Sequence, residues 1–244
     1  MDTGRRRNDT RLAPRSASAY LVSWVGAAGA AAVLRSAEEA EFARYFGPID
    51  PLLAVGGVGA AGLVALRILH GRGWIGVESE TTTARRRART VIGVAAGFGG
   101  AIVLADTLLG FPRGINVGWP NSLLFYPVMG FVAEGVFHLG PLAVVVGIHR
   151  RPSSESGRGS RSAVFLPIGI VALVEALFQV VFGGGGGRHE PWLTIYTGLH
   201  LFGFGAAQLA VLRRLGFGST FLTRLAYYLV WHVGWGAARL RLLF

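Results

Sequence analysis

Residues 175–201 read EALFQVVFGGGGGRHEPWLTIYTGLHL, two apolar segments that meet at five consecutive glycines, Gly183–Gly187. Glu175 stands inside the first segment and His200 inside the second. Each segment extends to about the length that crosses a bilayer core of roughly 30 Å. The rest of the 244-residue chain repeats the pattern: it is 52% hydrophobic and only 15% charged, where a soluble domain carries about 25% charged residues. Apolar segments are expected at roughly 18–34, 51–70, 90–110, 121–148, 163–183, 192–212 and 219–238. Open strand edges cannot face lipid, so the expected form is helical. The fold class that follows is all-α, a polytopic transmembrane bundle of about seven spans. No connecting stretch exceeds about twenty residues. The division expected is a basic tail at 1–17 and a single transmembrane domain at 18–244.

The charge pattern sets an orientation. The formal net charge is +11, and every basic residue is arginine. Seventeen arginines fall in the N-terminal tail, the 71–89 and 149–162 stretches and the segment after 212; six fall on the other side. The excess marks the cytoplasmic side, which places the N-terminus in the cytoplasm and the C-terminus outside. Arginines that follow the spans so closely are not the footprint of a nucleic-acid site; membrane lipid is the partner they face. The tail is followed by an apolar segment without a cleavage site, which reads as a retained first span. The chain has no cysteine, which excludes disulfides, thiolate zinc sites and thiol nucleophiles. RPSSESGRGSRS (151–162) reads as a flexible linker, and Pro191 as the start of a helix.

Ionisable side chains at membrane depth usually face a cavity or the bundle interior. Those expected here are Asp106, Glu134, His138, Glu175, His200 and His232. Counted at about 1.5 Å per residue from the outer end of each span, Glu175 and His200 lie roughly 12 Å deep and His232 roughly 9 Å deep. On that count one layer holds a carboxylate and two imidazoles. Glu134 and His138, four residues apart on one helix face, form a second layer, a proton path or a self-satisfied hydrogen bond, and flanking Pro127 and Pro141 are expected to kink their helix. Asp106, near a span end, reads as an interfacial residue. A carboxylate facing an imidazole can deprotonate water while a second imidazole donates to an oxyanion. The same three groups, Glu175, His200 and His232, can instead hold a divalent metal such as zinc, or the two histidines a haem. These chemistries stay open at the level of sequence.

Three short motifs carry a resemblance. VEALFQ (174–179), YTGLH (196–200) and HVGWG (232–236) resemble the EExxxR, FxxxH and HxxxN/D motifs of the CPBP family, the CAAX prenyl endopeptidases and bacteriocin-processing or self-immunity proteins. The resemblance covers about 175–236, with a CPBP-like core expected at about 163–240. It implies a multi-pass intramembrane hydrolase of a prokaryotic plasma membrane, a protease acting on a membrane-tethered peptide. Glu175 would then be the base, His200 its partner and His232 the oxyanion donor. Val174, Gln179 and Gly236 depart from the motifs, removing the partner carboxylate, the arginine and the final Asn or Asp. A second register sets AEGVFH (133–138) on the first motif, with Glu134 on its second Glu. The rival expectations are a non-catalytic bundle that binds a lipid or another membrane protein, and a protein that binds metal or haem.

Overall fold

The computed structural model describes residues 14–78, 81–148, 161–182 and 191–244. The glycine run and most of the 151–162 linker lie outside the described residues. Ten helices are described: α1 (Pro14–Leu34), α2 (Glu39–Phe46), α3 (Pro51–Gly71), α4 (Ala84–Leu109), α5 (Ser122–Ala133), α6 (Gly140–Ile148), α7 (Arg161–Phe182), α8 (Pro191–Leu215), α9 (Phe217–Tyr228) and α10 (Gly236–Leu242). No strand occurs among the described residues. Six helical runs are long and apolar enough to cross a membrane, with α5 and α6 counted as one run. A seventh, from Phe217 to Leu242, is one helical path interrupted by charge. This is an all-α, multi-pass membrane protein. Its outward face is apolar, as lipid requires: Val22, Leu53, Leu108 and Phe182 are each more than two-thirds exposed.

Local chemistry explains the helix ends. Asp50 accepts a hydrogen bond from Leu52 N at 2.9 Å, with Pro51 at the first helical position of α3. Thr83 caps α4 through Arg86 N. Gly216, at φ 85°, turns α8 directly into α9 in one residue; only glycine adopts that conformation without a steric penalty. The reversal lays α9 antiparallel against α8. On the arginine-rich side, Arg214 forks onto both Glu78 oxygens at 3.0 and 3.2 Å. That contact holds the exposed Glu78 carboxyl below its usual range.

Two irregularities sit inside the bundle. Residues Glu134–Leu139 and Leu229–Trp235 are π-helical turns, a local widening found frequently at functional sites. The first has a visible cause. Pro141 lacks an N–H and its ring crowds the carbonyl four residues back; the widened turn ahead of it relieves that crowding, with Gly140 N bonding Gly135 O. Pro127 is carried within α5.

Helices α1 and α3 approach closely. Tyr20 donates to Gly59 O at 2.8 Å, and a Cβ on Gly59 would fall inside the Trp24 indole. The main core gathers Tyr20, Phe125, Phe131, Leu139, Leu142, Leu209 and Phe217. Helix α7 packs along α8, while α9 is wedged between α4, α5 and α8. The buried polar residues line these seams.

Candidate functional site

The π turn after α5 aims Glu134 and His138 into the bundle, where both are fully buried. His138 Nδ1 meets Glu134 Oε2 at 2.8 Å. Its Nε2 meets Glu175 Oε2, from α7, at 2.9 Å. With both carboxyls ionised, a ring with a carboxylate oxygen at each nitrogen donates from both, as imidazolium. Arg224, from α9, donates from Nε to Glu134 Oε1 at 2.6 Å and from a terminal nitrogen to Glu175 Oε1 at 3.2 Å. Gln208, from α8, adds a bond to Glu134 Oε1 at 3.0 Å. Two carboxylates, one imidazolium and one guanidinium cancel in charge. Each carboxylate oxygen has a partner, which is how charges survive burial. The Gln208 carbonyl oxygen is the one buried side-chain atom of the group without a partner.

The layer expected of Glu175, His200 and His232 does not form. Glu175 sits opposite Gly205: a Cβ there would come within 2.9 Å of Glu175 Oε2. His200 lies five residues along α8 toward the opposite face, about 7.5 Å away on the helix rise. It bonds Tyr227 at 3.1 Å and faces Tyr196 at 3.5 Å. His232 lies five residues beyond Tyr227 on its own helix, a further step of about 7.5 Å. The three groups are staggered like stairs because the helices do not start at a common level, as the span-end count assumed. Glu175 joins Glu134 and His138 instead. Among the described residues no group of three or more His, Cys, Asp or Glu side chains is arranged to hold a metal ion. The zinc expectation for Glu175, His200 and His232 therefore lacks its ligand set. Both nitrogens of His200 face tyrosine hydroxyls, so its part in a bis-histidine haem site is likewise taken.

His232 has surroundings of its own. Its Nδ1 meets Asn116 Oδ1 at 2.6 Å, and its ring stacks on Tyr126 with centroids 4.2 Å apart. The Tyr228 ring stands edge-on at 5.0 Å. Asn116 arrives from the segment between α4 and α5, and Gly236 makes room for it: a Cβ on Gly236 would come within 3.0 Å of Asn116 Nδ2. With Nδ1–H donated to Asn116, the neutral ring keeps Nε2 as an acceptor. No described residue bonds that Nε2, and Asn116 Nδ2 is buried without a partner. Tyr228 bridges the two centres, since Arg224 donates to its hydroxyl at 3.4 Å and leaves the O–H free to donate.

A third polar centre fixes this architecture. Asp106, near the end of α4, is fully buried. It accepts from Arg239 Nε at 2.6 Å, from Trp235 at 2.6 Å and from Phe111 N at 2.7 Å. Arg239, itself fully buried, also donates to the carbonyls of Phe111, Pro112 and Arg113. It pins the segment that carries Asn116.

Arg224 and Arg239, counted by sequence as flanking charges, are both inside the protein. Removing one from each side leaves the arginine asymmetry in place. Neither was legible as a site residue, nor were Gln208 and Asn116. An arginine in an apolar segment of a chain with buried glutamates was the available signal for Arg224. Asn116, in a segment between spans, offered none.

Searches against family models, curated proteins and solved structures return no match to this chain.

Proposed function

We propose that the protein is a membrane-embedded hydrolase acting on a membrane-tethered peptide, a divergent relative of the CPBP endopeptidases, in a prokaryotic plasma membrane with its arginine-rich face toward the cytoplasm. The observation that carries the reading is the His232–Asn116 pair. An imidazole oriented at Nδ1 and open at Nε2 is the arrangement of a general base, the third group holding tautomer and direction. In this role His232 takes a proton from water. Asn116 Nδ2 and the Tyr228 hydroxyl, polarised by Arg224, are the donors available to a developing oxyanion. The cluster of Glu134, His138 and Glu175 holds Arg224 in place, so the carboxylates position a donor, and the base is His232 where the motif resemblance put Glu175. His200, bonded to Tyr227, lies outside this chemistry.

The second reading is a non-catalytic bundle, favoured by the complete pairing of the Glu134 and Glu175 oxygens. Purified protein in proteoliposomes, offered a panel of lipid-anchored fluorogenic peptides, separates the two. The hydrolase reading expects turnover that Asn116→Ala lowers about 10²-fold, the cost of losing one donor or orienter of this kind. Absence of turnover across the panel would favour the non-catalytic bundle.

A further inference from the structure

Asn116 holds His232, and the sense of its amide decides what His232 can do. An asparagine side chain presents an oxygen on one side and an NH2 on the other. With Oδ1 toward His232 Nδ1, at 2.6 Å, the neutral ring carries its proton on Nδ1 and keeps Nε2 as an acceptor. Turned over, the amide would set Nδ2 at that place. Nδ1 would then accept, and the ring proton would move to Nε2 and end the ring's use as a base there. The choice of amide sense is the choice of tautomer, and the surrounding hydrogen bonds make it.

Tyr126, on α5, supplies the deciding bond. It is buried, and its hydroxyl oxygen accepts from Val117 N at 2.8 Å. Its proton therefore needs an acceptor of its own. Among the described residues the acceptor it meets is Asn116 Oδ1, at 3.4 Å. A turned amide would face this O–H with an NH2 and leave a buried donor unsatisfied, which is the costly outcome for a buried polar group. The bonds run from Val117 N–H to the Tyr126 hydroxyl and on to Asn116 Oδ1. The second lone pair of that oxygen takes His232 Nδ1–H. The Tyr126 ring also lies nearly flat on the imidazole, with centroids 4.2 Å apart and 17° between planes. That contact keeps the imidazole in the plane where Nδ1 reaches Asn116. One side chain thus sets the base's plane, its partner's orientation and the backbone of the segment that brings the partner.

We propose that Tyr126 is a positioning residue of the His232–Asn116 pair: its hydroxyl fixes the amide sense and so holds His232 as the Nδ1–H tautomer with Nε2 bare. The purpose of this device rests on the hydrolase reading, but the tautomer is measurable without turnover. The test uses full-length protein in lipid bilayers, labelled with ¹³C and ¹⁵N at histidine, studied by solid-state NMR at neutral pH. The His232 signals are those lost in His232→Gln. The unaltered protein is expected to show a protonated Nδ1 and a bare Nε2. Tyr126→Phe keeps the ring against His232 and removes only the hydroxyl. It is expected to shift the Nδ1–H to Nε2–H ratio toward Nε2–H by about two- to tenfold, the worth of one hydrogen bond. Where turnover is present, the same variant is expected to lower kcat by no more than that factor and to leave KM unchanged. A tyrosine that served packing alone would leave the tautomer ratio where it was. Nε2–H as the major form in the unaltered protein would overturn the proposal, and so would an unchanged ratio in Tyr126→Phe. The expected spectra together with no turnover would sink the hydrolase reading and leave the control of the tautomer by Tyr126 standing.

Discussion

Replacing Arg224 by Leu tests the buried charge cluster at its most connected member. The guanidinium is 3% exposed and ties Glu134 to Glu175 at 2.6 and 3.2 Å. Its removal leaves two buried carboxylates with one imidazolium. Breaking a buried ion pair from one side costs about 3–5 kcal/mol, mainly as the penalty of the uncompensated charge. Removing Glu175 as well restores neutrality, because the Glu134–His138 pair balances itself. The double variant Arg224→Leu/Glu175→Leu is therefore expected to be more stable than the sum of its two single variants by roughly 1–3 kcal/mol, the size of coupling seen within one network. Unfolding in mixed micelles with a denaturing detergent, followed by the fluorescence of the six tryptophans, reads these differences. A loss of under about 1 kcal/mol for Arg224→Leu, the scale of an exposed pair, would refute the cluster. Strict additivity in the double variant would refute the shared charge balance.

Asp106→Ala strands the fully buried Arg239 and frees the segment it pins. It is expected to destabilise by about 3–5 kcal/mol and to expose residues 110–121 to added protease in detergent. Gly205→Ala places a methyl group within 2.9 Å of a Glu175 oxygen; about 1–3 kcal/mol is expected in the same unfolding assay, as for other overpacked sites. Glu78 has a depressed folded pKa, so its contact with Arg214 contributes fully above the unfolded pKa and is lost as pH falls through the folded one. The stability gap between the unaltered chain and Glu78→Gln is expected to be present at neutral pH and to close in acid. Seven crossings place the two termini on opposite sides, and a reporter fused after Phe244 that shares the N-terminal side would contradict that count.

The spans were legible because hydropathy and length are summed over some twenty residues, and no single side chain decides them. The Glu134–His138 pair was legible for a related reason: a spacing of four fixes a shared face without reference to any other helix. What sequence did not carry was register between helices. Whether Glu175 meets His200 or His138 depends on how far α7, α8 and the π turn slide past one another, and Gly205, small enough for the carboxylate to lie against α8, sets that slide. Arg224 and Arg239 were hidden by the rule that assigns arginines to flanks, a rule that holds on average and fails where a carboxylate waits inside. Asn116 illustrates a further limit. It reaches His232 from more than a hundred residues away, by a contact that only the folded chain defines.

The most direct measurement of the central claim compares two histidines in the same turnover assay with the same lipid-anchored peptide. His232→Gln keeps much of the side chain's size but cannot take the proton, and the rate is expected to fall about 10²–10⁴-fold, the usual contribution of a general base. His200→Gln, one step deeper and bonded to Tyr227, is expected to stay within severalfold of the unaltered protein. The reverse result, with activity surviving in His232→Gln and lost in His200→Gln, would contradict the assignment of His232 as the base.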